Sequence, residues 1–467
     1  MTTRRPRPKP GATASRPTTG NEVGSHPPLP PNPIPLGPPS TAAREPGLFA
    51  EAIPRRHEDD FSIAESITFR TSALPLPPPR LDLRPRLVDS AAGHIDVLLL
   101  TVPSDPHGGN AVHFETLIRC LGTETTFVVL HNEDNRKTVE SWRPAAHPDA
   151  RWLPISTPFT LDIWAQDPYV ALEAVTGDNA EALTLLVEGV QFRPTGMIVA
   201  DEVVAGLGLV GSPRLRALQS FLFFEGGNVL ATPSRVLIGK DHPSRNLARP
   251  GLADEPAVSE RFEHLFGAGR QGLLVVGTRC LIDKDDFWGR PDTGLTGWYQ
   301  PVFHIDMHVT PTGRIGESGK EVLLYGTPRA AEKLAEIPGD FHLQWAFDEI
   351  EEQLEQHFEI VRLPILPRFG DVGQGWPEKH YYLTWNNVLI ESFDNAEGGV
   401  SREVFMPTYG SPGDEVSRAL DDEAERIWTT AGYRVHRLSN MEDLAWAGGS
   451  AHCITKTLRR GPAPQRQ

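Results

Sequence analysis

The chain has 467 residues, 39% of them hydrophobic and 23% charged, the composition of a soluble globular protein with material for a sizeable core. Its 45 basic and 61 acidic residues leave a net charge of −16, which argues against a nucleic-acid footprint and suits a cationic partner. Cys120, Cys280 and Cys453 are too few and too scattered for a disulfide framework or a zinc ribbon, and imply a reducing, cytoplasmic setting.

Residues 1–45 read as a disordered, proline-rich tail, since 12 of the 44 prolines fall in the first 40 positions. Arg4 and Arg5 open it, but no apolar stretch follows, so no signal peptide is expected. Residues 46–90 form an N-terminal extension containing the cluster Leu74-Pro75-Leu76-Pro77-Pro78-Pro79. From 91 to 467 nothing resembles a linker, and one domain is predicted. Its first strand is His94–Val102, followed by strands at 126–130, 183–187, 272–276, 321–325, 381–385 and 434–438. Helical patterns near 113–121, 328–336, 347–358 and 415–431 alternate with them, the last ending at a helix-stopping Gly432. This alternation predicts an α/β fold. No repeat is visible in the sequence, and no apolar run reaches the length of a membrane span.

Four polar segments interrupt the apolar background. In Trp164-Ala165-Gln166-Asp167-Pro168, a carboxylate and an indole could hold a flat cation after a strand-like run, although Asp-Pro is also ordinary turn chemistry. Phe224-Glu225-Gly226-Gly227-Asn228 reads as a bend entering a hairpin. In His304-Ile305-Asp306-Met307-His308, strand geometry would place His304, Asp306 and His308 on one face, for metal binding or for acid–base work by His304. Gly448-Gly449-Ser450-Ala451-His452-Cys453 puts a thiol in a small-residue turn. A lone cysteine of this kind is also a common buried structural residue.

Taken together, a thiol, an imidazole and two carboxylates suit nucleophilic attack on a cationic, electron-poor carbon. A guanidinium fits that description, because carboxylates pair with it in two-point hydrogen bonds and its charge favours the thiolate.

These motifs resemble those of the guanidino-modifying enzymes, which share the pentein fold, a pseudo-fivefold α/β propeller of ββαβ-like repeats. His304 and Asp306 match the family's HxD, and His452-Cys453-Ile454-Thr455 its HC-x-T. Trp164-Ala165-Gln166-Asp167 is similar to the W-x-Q-D of the protein-arginine deiminases, as are Gly227-Asn228-Val229 with Thr232-Pro233, Thr327-Pro328-Arg329 with Lys333-Leu334, and Arg459-Arg460. The resemblance spans about residues 90–460. It implies that Cys453 attacks the guanidinium carbon, that His304 handles protons, and that Asp167 and Asp306 clamp the nitrogens. Trp164, Glu225 and Asn228 would complete the substrate site. The implied partner is an arginine-containing peptide or a small guanidino compound, hydrolysed to a ureido product. A free-arginine or agmatine deiminase, an amidinotransferase, a metal-dependent hydrolase and a non-catalytic binding module are the alternatives. Animal protein-arginine deiminases carry two further N-terminal β-domains and need calcium. Two acidic ligands that they place beside these motifs are here Val170 and Leu230, so no cofactor is expected.

Overall fold

The computed structural model of the protein describes residues 67–69 and 85–461, apart from 104–109, 122–124, 159–160, 175–182, 191–199, 210–214, 248–251, 284–296, 371–378, 395–397 and single positions at 147, 149, 253, 268 and 340. The tail predicted over 1–45 and the proline cluster at 74–79 lie outside the described residues.

Apolar runs without alternation become strands buried on both faces. His94–Thr101, Glu321–Thr327 and Leu183–Val190 are of this kind, each the second strand of a unit and each flanked by hydrogen-bonded neighbours on both sides. Among the described residues, five sheets share one connection: two antiparallel strands, a helical crossover, then a third strand parallel to the second. In chain order of their second strands, the first unit contains Thr455–Gly461, His94–Thr101 and Thr126–His131. The second contains Tyr169–Ala174, Leu183–Val190 and Leu215–Phe223, and the third Val229–Ala231, Val236–Gly239 and Leu273–Val276. The fourth contains Val309–Ile315, Glu321–Thr327 and Glu359–Gly370, and the fifth Leu389–Asp394, Val400–Pro407 and Arg434–Leu438. The sequence predicted some of the strands built from apolar runs, among them His94–Thr101, Thr126–His131, Leu183–Val190 and Glu321–Thr327. It missed all five first strands, as well as Leu215–Phe223, Val236–Gly239, Glu359–Gly370 and Val400–Pro407, most of which are short or mix polar with apolar residues and carry little period.

The crossover helices have local causes. Glu255–Phe266 starts where the Asp254 side chain accepts from the Ala257 N–H at 2.9 Å, and it buries Val258, Phe262, Leu265 and Phe266 on one face. Glu415–Thr430 starts the same way, with Asp414 accepting from Ser417 N–H, and stops just before Gly432 at φ +88°. Pro328 opens Pro328–Ala335, where a missing N–H costs nothing. Among the described residues no helix is long and apolar enough to cross a membrane.

The first unit is assembled from both ends of the described chain, since Thr455–Gly461 pairs antiparallel with His94–Thr101. The stretch just before the first strand of every unit is polar. These five entry loops hold Asp167, Glu225 to Asn228, His304 to His308, Asn386 and Asn387, and His452 and Cys453.

Candidate active site

Hydrogen bonds tie the entry loops to one another. The Gly226 N–H donates to the Asp167 carbonyl at 3.1 Å, and the Gln166 N–H to the Cys453 carbonyl at 3.1 Å. The Asn387 side-chain oxygen accepts from the N–H groups of His452 and Cys453, at 3.0 and 3.2 Å. Its amide nitrogen donates to the Cys453 sulfur at 3.2 Å and to the Asp306 carbonyl at 3.4 Å.

The predicted chemical groups meet. Cys453 Sγ lies 3.7 Å from Asp306 Oδ2, which also receives His452 Nδ1 at 2.7 Å. His304 places Nδ1 3.4 Å from Asp167 Oδ1, while its Nε2 is held at 2.9 Å by Glu225 Oε2. Gly227 faces the space between them. A Cβ there would stand 2.5 Å from His304 Nδ1 and 3.1 Å from both Asp167 Oδ1 and Asp306 Oδ2. Glycine therefore leaves open the point on which an imidazole and two carboxylates converge. Gly449 does the same beside the thiol, since a Cβ there would fall 2.4 Å from the Trp164 ring and 2.8 Å from Cys453 Cβ. Asp306 Oδ1 is buried and, among the described residues, has no hydrogen-bond partner. A buried carboxylate oxygen in that state is a strong acceptor for a ligand N–H.

Burial sets the proton affinities. His304, Asp306, Asp167 and Cys453 are 0, 2, 3 and 1% exposed. Burial pulls the His304 imidazole down, but Asp167, Glu225 and Asp306 outweigh it and hold the ring above its ordinary value. Burial pushes the Cys453 thiol well up, and Asp306 and Asp167 add to this, against hydrogen bonds from Ser450 and Asn387. Without a ligand both shifts favour the protonated form, of the thiol and of the imidazole. A cation bound between the carboxylates would reverse the field at the sulfur.

Several expectations change. The HxD segment is a short 3-10 turn over Ile305–Met307, with His304 extended before it. His304 and His308 therefore diverge, and His308 packs edge-on against Tyr325 and Phe347, its basicity lowered to about 4 by burial. The metal reading of His304, Asp306 and His308 loses its third member. Asp167 lies in a turn ahead of the strand Tyr169–Ala174 and not directly after one, since the preceding strand Arg151–Ser156 ends well before it. Asn228 does not face the space beside Gly227. Its oxygen accepts from Ile305 N–H at 3.0 Å and Gln300 Nε2 at 2.9 Å, and its amide donates to the Gly239 carbonyl and Gln300, so it braces the 305 turn. Glu225, expected at the substrate, is instead bonded to His304 and orients the ring.

Two residues escaped the sequence reading. Asn387 follows the apolar 381–385 run as part of a polar pair, the same signature as the other entry loops, but it belongs to no motif. His242 lies in the short helix Asp241–Asn246, where its Nδ1 accepts from Glu225 N–H at 3.3 Å and its Nε2 is 3.8 Å from Glu225 Oε2. Burial lowers it to about 4, so it is neutral with its proton on Nε2, facing the carboxylate.

Glu225, His242 and His304 offer ligand atoms within 4.8 Å of one another. A metal there would need a lone pair on His242 Nε2, which would move the proton to Nδ1 against the Glu225 N–H. The triad is better matched to a hydrogen-bonded chain than to an ion. The calcium implied by the resemblance fits no better. Val170 and Leu230 are 1 and 2% exposed and supply no oxygen ligand. The cavity lined by Gln166 and Val170 receives Lys456 instead, a cation.

No family model matches the sequence, and no curated relative does. Solved structures do match. A crystal structure of a protein provisionally named a peptidyl-arginine deiminase aligns over 81% of this chain and 99% of its own, at 15% identity and a TM-score of 0.55. The C. jejuni agmatine deiminase aligns over 81% of this chain and 96% of its own, at 12% identity and a TM-score of 0.52. At these identities the likeness establishes the fold. The chain is a pentein-fold protein, as its four motifs implied.

Proposed function

We propose that this protein hydrolyses guanidino groups, converting arginine within a polypeptide to citrulline and ammonia without calcium. The observation that carries the reading is the convergence of His304, Asp167 and Asp306 on the space that Gly227 leaves free, with Cys453 Sγ 3.7 Å from Asp306 Oδ2. The same reading takes the five units as blades of a pseudo-fivefold propeller, with one entry loop of each at the site.

Asp167 and Asp306 receive the planar cation, and Trp164 flanks its aliphatic stem. The bound charge offsets the burial of Cys453, whose proton is lost to solvent, and the thiolate attacks the central carbon. His304, protonated and aimed through Nδ1 at the same space, donates to the departing nitrogen, and ammonia leaves as the C–N bond breaks. The neutral imidazole then takes a proton from water. Hydroxide adds to the amidino-thioether, the C–S bond breaks, and a ureido group is released.

Ureido formation should be measured on free arginine, agmatine, an N-acylated arginine amide and an arginine-containing peptide. The reading expects turnover of the last two and none of the first two, without added calcium and in the presence of chelator. Turnover of agmatine or free arginine alone would replace the substrate class, and amidine transfer to an amine would replace the reaction. Cys453→Ala should abolish ureido formation on every substrate while guanidinium binding persists; retained turnover removes the nucleophile.

A further inference from the structure

We propose that Lys456 is a positioning residue of this site, its buried ammonium acting as the resident counter-cation of Asp167 and Asp306 until a guanidinium enters. This rests on the reading of those carboxylates as the guanidinium clamp.

Lys456 lies three residues beyond Cys453 on the strand Thr455–Gly461 and is 6% exposed. Lysine is almost never buried without a compensating charge. Its amine reaches the underside of the Asp167 and Gly226 loops. A Cβ on Gly226 would meet the Gln166 carbonyl oxygen at 2.0 Å, the Tyr169 carbonyl oxygen at 2.7 Å and Lys456 Nζ at 3.0 Å. Glycine at 226 thus lets the ammonium approach a wall of backbone oxygens. Asp167 and Asp306 are the acids that act on it. At low effective dielectric a cation still acts on carboxylates across several ångströms.

The rest of its cavity supplies no competing anion of equal standing. Gln166, Val170, Val229, His452, Arg460 and Asp89 line it, and Asp89 uses one carboxylate oxygen on the Ala91 and Ala92 N–H groups. The other oxygen lies 3.8 Å from Arg270. Arg460 is turned to five backbone carbonyls. Val170, where the resemblance would put a calcium ligand, lines this same cavity and offers no oxygen. Burial brings the amine down to about 7, with Asp167 and Asp306 pushing it back up. A proton held so loosely can be given up to solvent when substrate brings a second positive charge between the same acids.

The test uses the full chain and reads the thiol directly. Alkylation of Cys453 by iodoacetamide is followed by peptide mass mapping across pH, in the wild type, Lys456→Met and Lys456→Arg, with melting temperatures checked. Because the ammonium exists below its pKa, its loss should matter most at acid-to-neutral pH. Lys456→Met should alkylate about tenfold more slowly below pH 7 and converge on the wild type well above it, whereas Lys456→Arg, which keeps its charge, should follow the wild type below pH 7 and alkylate faster than it above, one pKa unit of thiol shift being about tenfold. Identical profiles for the wild type and Lys456→Met, or equal losses in Met and Arg, would overturn the proposal. Guanidine hydrochloride at sub-denaturing concentration should protect Cys453. If protection is absent while the lysine dependence persists, the guanidino reading fails and the counter-cation stands.

Discussion

At the scale of single residues, the site concentrates three buried carboxylates around one imidazole. The consequence is a histidine whose pKa is raised and a cysteine whose pKa is pushed well up, both shifts favouring the protonated form. Asp167→Asn keeps the shape and removes the charge. It should weaken guanidinium binding by about 1.5–3 kcal/mol, the worth of a charge-assisted contact, in calorimetry on a Cys453→Ala background. Unchanged affinity would take Asp167 out of the site. Glu225→Gln removes the anion on His304 Nε2, so the ring should lose its proton at lower pH, and the alkaline limb of the turnover profile should move down. The sign for stability follows from the same raised value. The ion-paired imidazolium contributes stability that is complete below about pH 6.5 and is lost as pH rises through the raised folded-state value. Denaturant unfolding should therefore show Glu225→Gln furthest below the wild type at low pH, with the gap closing as pH rises.

At the scale of elements, the chemistry sits in the turns that enter the first strand of each unit. The HxD spacing suggested a strand because alternation and a 3-10 turn both bring positions two apart into play. What decides between them is Asn228, whose side chain captures the Ile305 N–H from 77 positions away. Asn228→Ala leaves that buried donor and the Gln300 amide without their partner. It should cost about 1–3 kcal/mol in denaturant unfolding. Turnover should fall further than that loss explains, because His304 is no longer held. Loss of stability with normal turnover would show that the brace serves only the fold.

At the scale of the whole molecule, the described chain is closed by its own ends. Arg460, on the last strand, donates to the carbonyls of Asp89, Ser90, Ala91 and Gly93 near the first strand and to Ile390 in the fifth unit. One planar guanidinium with its donors in a fixed fork satisfies five acceptors, which a single ammonium cannot do. Arg460→Lys should lower stability by about 3 kcal/mol or more in equilibrium unfolding, despite preserving charge. A loss within a few tenths would mean that water replaces those donors.

The sequence by itself determined several of the strands with continuous apolar runs, the capped helix Glu415–Thr430, and the four polar motifs that hold Cys453, His304, Asp167 and Asp306, because those signals are local or lie in motifs of fixed spacing. Only the tertiary structure decided that Glu225 holds His304, that Asn228 is a brace, that His308 belongs to the core, and that Asn387 and His242 bond to the residues of the site. Each of those roles depends on a partner at least 17 positions away, and a hydrogen bond or a field between distant residues leaves no period in the chain that forms it.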